Sequence, residues 1–309
     1  MNPAPPPSYG AAGPAAFLTE AAPQAGFGDY LELTKPRLSF LSVLTAAVGY
    51  LAALPPWSGS TLFGVFLGTA MAAGGVAALN QWMEADVDAL MRRTHDRPIP
   101  AGKITTGSAF VLGWGLCAGG LALLFAEVNG LSALLALATM VCYLAIYTPA
   151  KRWSRWATEM GAVAGALPPL IGWTAATGRV SGLGLILFGI LFFWQLPHFM
   201  AIAWIYRRDY AAVNFPMLSV RDTGGGRVAA WSLVNTILLV GVTLLPVALG
   251  YGSLFYGAVA AALGGWFLWR AVRFLQPPGR EQEARRLFFA SICYLPLLLG
   301  ALVIDRWMF

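Results

Sequence analysis

Asn80, Glu84 and Asp88 follow one another at intervals of four residues. On a helix turning about 100° per residue, that spacing puts all three on one face. Two carboxylates and an amide oxygen in a row are hard oxygen donors, the kind that hold Mg²⁺ together with substrate phosphates. Arg92, Arg93, Arg97 and Lys103 follow directly. Cations beside a metal-binding face point to an anionic ligand of the diphosphate class. Asn80 lies deep in an apolar run, where an unpaired polar group is costly and marks function. The alternative is a solvated helix end with locally paired charges. Asp86 points off the shared face, and Asp96 reads as a loop or capping residue.

Two further boxes carry polar chemistry. Tyr147-Thr148-Pro149-Ala150-Lys151-Arg152 reads alone as an interfacial anchor. Beside a diphosphate site, Lys151 and Arg152 become phosphate ligands. The other box is Trp194-Gln195-Leu196-Pro197-His198-Phe199, which leads on to Asp209. A lone histidine in an apolar span is most simply a hydrogen-bonded core residue, but here Gln195 and Pro197 stand beside it. On one ideal helix, His198 and Asp209 lie about 16 Å apart. His95, in the basic loop, reads as solvated.

The elements that must position these residues are membrane helices. Of 309 residues, 58% are hydrophobic and 11% charged, against roughly 25% charged in soluble proteins. The fold class is therefore all-α, a polytopic membrane bundle. Runs of membrane-spanning length give nine expected spans, near 38–54, 62–83, 107–126, 131–148, 158–176, 182–205, 228–249, 252–274 and 287–307. Asn129-Gly130 makes a tight turn between antiparallel neighbours. Gly64/Gly68, Gly115/Gly119 and Gly161/Gly165 have the spacing of close helix crossings. The Pro168-Pro169 pair kinks the fifth span. A weak echo of the second span's polar box at the end of the sixth is consistent with internal duplication.

Eighteen of the 20 Lys and Arg residues fall on one side of this layout; only Arg179 and Arg306 fall on the other. The positive-inside rule puts the amino terminus and the polar boxes in the cytoplasm and the carboxyl terminus outside. The net charge of +6 is explained by those loops and not by nucleic-acid binding. Residues 1–28 are rich in Pro, Ala and Gly and lack a secretory pattern. They are expected to form a disordered cytoplasmic tail ahead of one domain over 29–309. Three cysteines, Cys117, Cys142 and Cys293, lie in apolar runs and offer no disulfide framework.

The boxes together resemble the UbiA superfamily of intramembrane prenyltransferases. The motif Asn80-x-x-x-Glu84-x-x-x-Asp88-x-x-Met91-x-Arg93-Thr94-x-x-Arg97-Pro98 carries the superfamily likeness. Pro197-His198-Phe199 and Tyr206-Arg207-x-Asp209-Tyr210 resemble the branch that farnesylates protoheme IX. The resemblance implies Mg²⁺ on Asn80, Glu84 and Asp88, joined by Asp209. It implies diphosphate on Arg93, Arg97, Lys103, Lys151 and Arg152, and heme near His198, as iron ligand, proton shuttle or pocket residue. Farnesyl diphosphate and heme b are the implied substrates, with heme O as product, a heme A synthase downstream and a cell inner membrane location. Many superfamily members carry a second aspartate-rich motif between the sixth and seventh spans, where this chain offers only Asp209 and Asp222. Competing readings are an aromatic prenyltransferase of quinone synthesis, an ion-coupled transporter and a non-catalytic heme chaperone.

Overall fold

The computed structural model describes residues 25–309, so the expected tail lies outside the described residues up to position 24. The first helix begins at Phe27, inside the stretch assigned to that tail. All regular elements among the described residues are helical. In chain order they are α1 (Phe27–Leu33), α2 (Pro36–Ala52), α3 (Gly59–Met83), α4 (Ala85–Asp88), α5 (Thr106–Glu127) and α6 (Gly130–Val141). A π-helical turn, Cys142–Tyr147, leads into α7 (Thr148–Ala150). There follow α8 (Ala157–Ala166), α9 (Pro168–Thr177), α10 (Gly182–Ile205), α11 (Arg207–Ala212) and α12 (Leu218–Arg221). The last three are α13 (Gly226–Ala248), α14 (Leu254–Leu275) and α15 (Arg280–Met308).

Among the described residues, seven segments are long and apolar enough to cross a membrane: α3, α5, the continuous rod Gly130–Ala150, α10, α13, α14 and α15. This is a multi-pass membrane protein. The other two expected spans correspond to α2, an apolar helix of 17 residues, and to α8 with α9. These are two ten-residue pieces divided at Leu167. Pro168 and Pro169 cause the break, because neither has an N–H to continue the helical ladder.

Close backbone approaches organise the half of the bundle built from α2, α3, α5 and α9. A Cβ on Gly172 would collide with the Ala46 carbonyl, and one on Gly49 with that of Pro169, so α2 and α9 touch main chain to main chain. Helices α3 and α5 meet similarly: a Cβ on Gly75 would lie 2.6 Å from the Gly113 oxygen. Of the expected glycine pairs, Gly68 belongs to this crossing, while Gly115 faces open space. Asn129 fixes the α5–α6 turn by accepting from Ser132 N (2.8 Å) and donating to Thr174 O (2.9 Å). The largest buried core joins α10, α13, α14 and α15 around Trp194, Tyr256, Phe267 and Tyr294. Helices α2 and α15 are tied at the end opposite the polar boxes, where Arg306 donates to Ala52 O (3.2 Å) and Trp307 to Leu51 O (3.1 Å). All three cysteines are free.

Candidate active site

Three buried acceptors each meet a cation where α3 leaves the bundle. Asn80 and Asp88 are 1% exposed and Glu84 is 6%. Such groups are tolerated only when paired. Lys35 donates to Asn80 Oδ1 (3.0 Å), and Lys151 donates to both Glu84 oxygens (2.8 and 2.9 Å). Arg97 forms an ion pair with Asp88. Asn80 Nδ2 donates in turn to Glu84 Oε2 (2.9 Å) and Thr148 Oγ1 (3.2 Å), knitting the pairs together.

The sequence spacing predicts one unbroken helix under this trio, and the chain does something different. Helix α3 ends at Met83, Glu84 has φ −106° and ψ 8°, and α4 starts at Ala85. The four-residue relation survives because the main-chain bonds continue across the bend: Glu84 N to Asn80 O (3.0 Å) and Asp88 N to Glu84 O (2.8 Å).

Lys35 reaches the cluster from the amino cap of α2 in a left-handed conformation, φ 45° and ψ 62°. For a residue preceding proline this is strained, at a cost of order 1–3 kcal/mol. Burial, followed by the nearby charges of Arg97 and Lys151, pushes its ammonium down to about 7, against the pull of Glu84 and Asp88. Cations thus outnumber carboxylates here, which suits a polyanion.

The π-helical turn supplies the opposite wall. Pro149 cannot donate to the residue four positions back, and a widened turn accommodates it; such turns recur at functional sites. Thr148 Oγ1 donates to Tyr143 O (2.9 Å). Tyr143 and Tyr147 pack edge to face with centroids 5.0 Å apart, and the Lys151 ammonium lies 4.5 Å from the Tyr147 ring centre. Burial acts to lower the Lys151 pKa, but Glu84 and the neighbouring tyrosines outweigh it and the net shift is upward. Arg93 stacks over Tyr206 (5.2 Å) and Tyr210 (5.8 Å), bringing the α4–α5 loop onto the start of α11. It has no ion pair among the described residues.

The other expected site residues lie apart from this cluster. Arg152 pairs with Asp86 on an exposed face (2.7 and 3.0 Å), and the guanidinium holds the Asp86 carboxyl below its usual range. Lys103 faces Asp29 at 3.6 Å. Asp209 lines a recess with Met91, Arg92 and Tyr206. Asp222 anchors the start of α13, accepting from Arg227 N (2.7 Å) and Val228 N (3.0 Å). Among the described residues, no three His, Cys, Asp or Glu side chains converge as a metal set. The donor chemistry of Asn80, Glu84 and Asp88 nonetheless fits Mg²⁺: these are hard oxygens, and each faces a cationic side chain.

Beneath the cluster lies an apolar cavity with an empty volume of about 710 Å³, including its open mouth. Lys35 and Tyr143 stand on its wall, so polar cluster and cavity adjoin. His198 faces elsewhere, between α10 and α15. Its ring stacks on Trp194 (5.0 Å) and packs against Phe288 (5.0 Å), and Nδ1 meets Ser291 Oγ at 2.7 Å. Ser291 Oγ donates to Phe288 O (2.6 Å). The hydroxyl therefore accepts from Nδ1–H, leaving the lone pair on Nε2.

A model of the UbiA prenyltransferase family matches residues 42–292. The chain belongs to the UbiA prenyltransferase family. It is 65% identical over 288 residues to the protoheme IX farnesyltransferase of Opitutus terrae, covering 93% of this chain and 98% of that one. Two UbiA-type folds superpose closely. One is digeranylgeranylglyceryl phosphate synthase, with TM-score 0.76, 17% identity and coverage of 90% of this chain and 98% of that one. The other is a UbiA homolog from Archaeoglobus fulgidus bound to GPP and Mg²⁺, with TM-score 0.62, 15% identity and coverage of 89% and 99%. Two residues beside the trio, Lys35 and Tyr143, stand outside the boxes read from the sequence. Lys35 had a signal: a Lys-Pro pair at the head of the first apolar run.

Proposed function

We propose that this prenyltransferase farnesylates protoheme IX. Farnesyl diphosphate loses diphosphate as its C1 bonds to the terminal carbon of the 2-vinyl group of heme b. Water then adds to the porphyrin-side carbon of that vinyl group and a proton departs, giving the hydroxyethylfarnesyl product, heme O. The 65% identity to the Opitutus terrae protein across nearly the whole chain carries this reading. Expression in membranes that lack their own heme O activity tests it: extracted hemes should include heme O, and heme b alone would contradict it.

In this reading Asn80, Glu84 and Asp88 hold Mg²⁺, which supplies Lewis-acid stabilisation of the departing diphosphate. Lys35, Lys151, Arg97 and Arg93 bind the diphosphate oxygens. The cavity takes the farnesyl tail and keeps water from the reacting carbon. Arg152, Lys103 and Asp209 form the outer rim of the proposed site, the two cations exchanging Asp86 and Asp29 for phosphate. Product heme O passes to a heme A synthase, the partner this reading names.

His198 is assigned to the heme site as an iron ligand through Nε2. Its support is the Ser291 hydrogen bond that fixes the tautomer and the aromatic rings on either side. His198→Ala should shift the Soret band of bound heme while farnesyl diphosphate affinity stays near wild type. An unshifted band would reject ligation.

We assign nine crossings of the cell inner membrane, counting α2 and the α8–α9 pair as spans. The amino terminus and site loops then lie in the cytoplasm and the carboxyl terminus in the periplasm. Eighteen of 20 Lys and Arg residues on one side support this. A reporter fused after Arg208 should read as cytoplasmic and one after Phe309 as periplasmic. A cytoplasmic carboxyl terminus would overturn the count.

A further inference from the structure

We propose that Thr69, Ala136 and Ile171 form a floor that limits the prenyl chain to three isoprene units; this rests on the farnesyl-transfer reading above. The cavity wall on α3 descends from Ala77 through Ala73 to Thr69, successive turns of one face, with small side chains at each rung. From Asn80 in the polar cluster to Thr69 is eleven residues, about 16 Å along the helix. An isoprene unit adds four carbon–carbon bonds to the chain, about 5 Å when extended, so three units need about 15 Å. The tail of farnesyl diphosphate therefore ends where the lining ends.

The floor is held from below. Ile171 packs with Leu124, Ala133 and Ala136. Its carbonyl accepts from Ser132 Oγ (3.1 Å), which also meets Thr174 Oγ1 at 2.8 Å. The next residue, Gly172, lies against the Ala46 main chain with no room for a Cβ. Neither α9 nor α2 has space to yield at this depth, so the Ile171 side chain is backed by main chain and does not move aside for a longer prenyl chain. Thr69 is 3% exposed and its hydroxyl has no hydrogen-bond partner.

The test uses the purified full chain with heme b, Mg²⁺ and geranyl, farnesyl or geranylgeranyl diphosphate, reading kcat/KM for each. Ala136→Phe raises the floor and should shift the geranyl-to-farnesyl ratio upward by roughly tenfold or more, the scale of discrimination by apolar pocket volume. Ile171→Ala lowers it and should shift the geranylgeranyl-to-farnesyl ratio upward by a similar factor. Thr69→Leu is a second raised floor, with the same expected direction, in case Ala136→Phe does not fold. Wild-type ratios in folded variants would overturn the floor while leaving farnesyl transfer intact. If the wild-type protein transfers none of the three groups, both readings fall.

Discussion

Glu84→Gln and Asp88→Asn should each lower kcat for heme O formation by roughly 100- to 1,000-fold, the scale of losing one preorganised electrostatic contact to a leaving group. Both substitutions keep side-chain shape and remove one negative charge. Farnesyl diphosphate affinity should change far less, because the cations that face these carboxylates, Lys151 and Arg97, remain in place. The measurement is paired: steady-state turnover, and equilibrium binding of labelled farnesyl diphosphate. Near wild-type turnover in either variant, or full wild-type activity in excess chelator, would remove Mg²⁺ from the assigned residues.

Lys151→Met should both unfold the protein more readily and abolish turnover, and the two effects separate. The substitution strands the Glu84 carboxylate, 6% exposed, without its cation. Breaking a buried pair from one side costs about 3–5 kcal/mol. The Asn80 amide still donates to Glu84 Oε2, which keeps the loss toward the lower end. The double variant Glu84→Gln/Lys151→Met removes both charges at similar volume and should recover most of the thermal stability. Its turnover should stay lost, because metal ligand and phosphate donor are both gone. Recovered activity in the double variant would make the Lys151–Glu84 pair purely structural.

The sequence carried the trio because main-chain hydrogen bonds hold the four-residue spacing even where α3 bends at Glu84. It did not separate Lys151 from Arg152. These neighbours differ by about 100° in direction on a helix, and the π-helical turn before them shifts the phase that sequence periodicity assumes. One faces Glu84 and the other the exposed Asp86. Lys35 was hidden for another reason: it arrives from 45 positions upstream through a left-handed cap. The expected 16 Å between His198 and Asp209 presumed one helix, but α10 stops at Ile205 and turns at Tyr206. Asp209 consequently lies in its own recess. Asp222, weighed as part of a second acidic motif, is taken up by the amides that open α13. The apolar runs themselves were easily read, because a membrane admits only helices or closed barrels and these runs are too long for barrel strands.

The most direct measurement incubates the purified protein in lipid with heme b, farnesyl diphosphate and Mg²⁺ in ¹⁸O-labelled water, then weighs the extracted heme. The account predicts a heme heavier by one farnesyl group and one labelled hydroxyl, formed only with Mg²⁺ present and lost in Glu84→Gln and Asp88→Asn. Unmodified heme from folded, substrate-binding protein, or a farnesylated heme without the labelled oxygen, would contradict it.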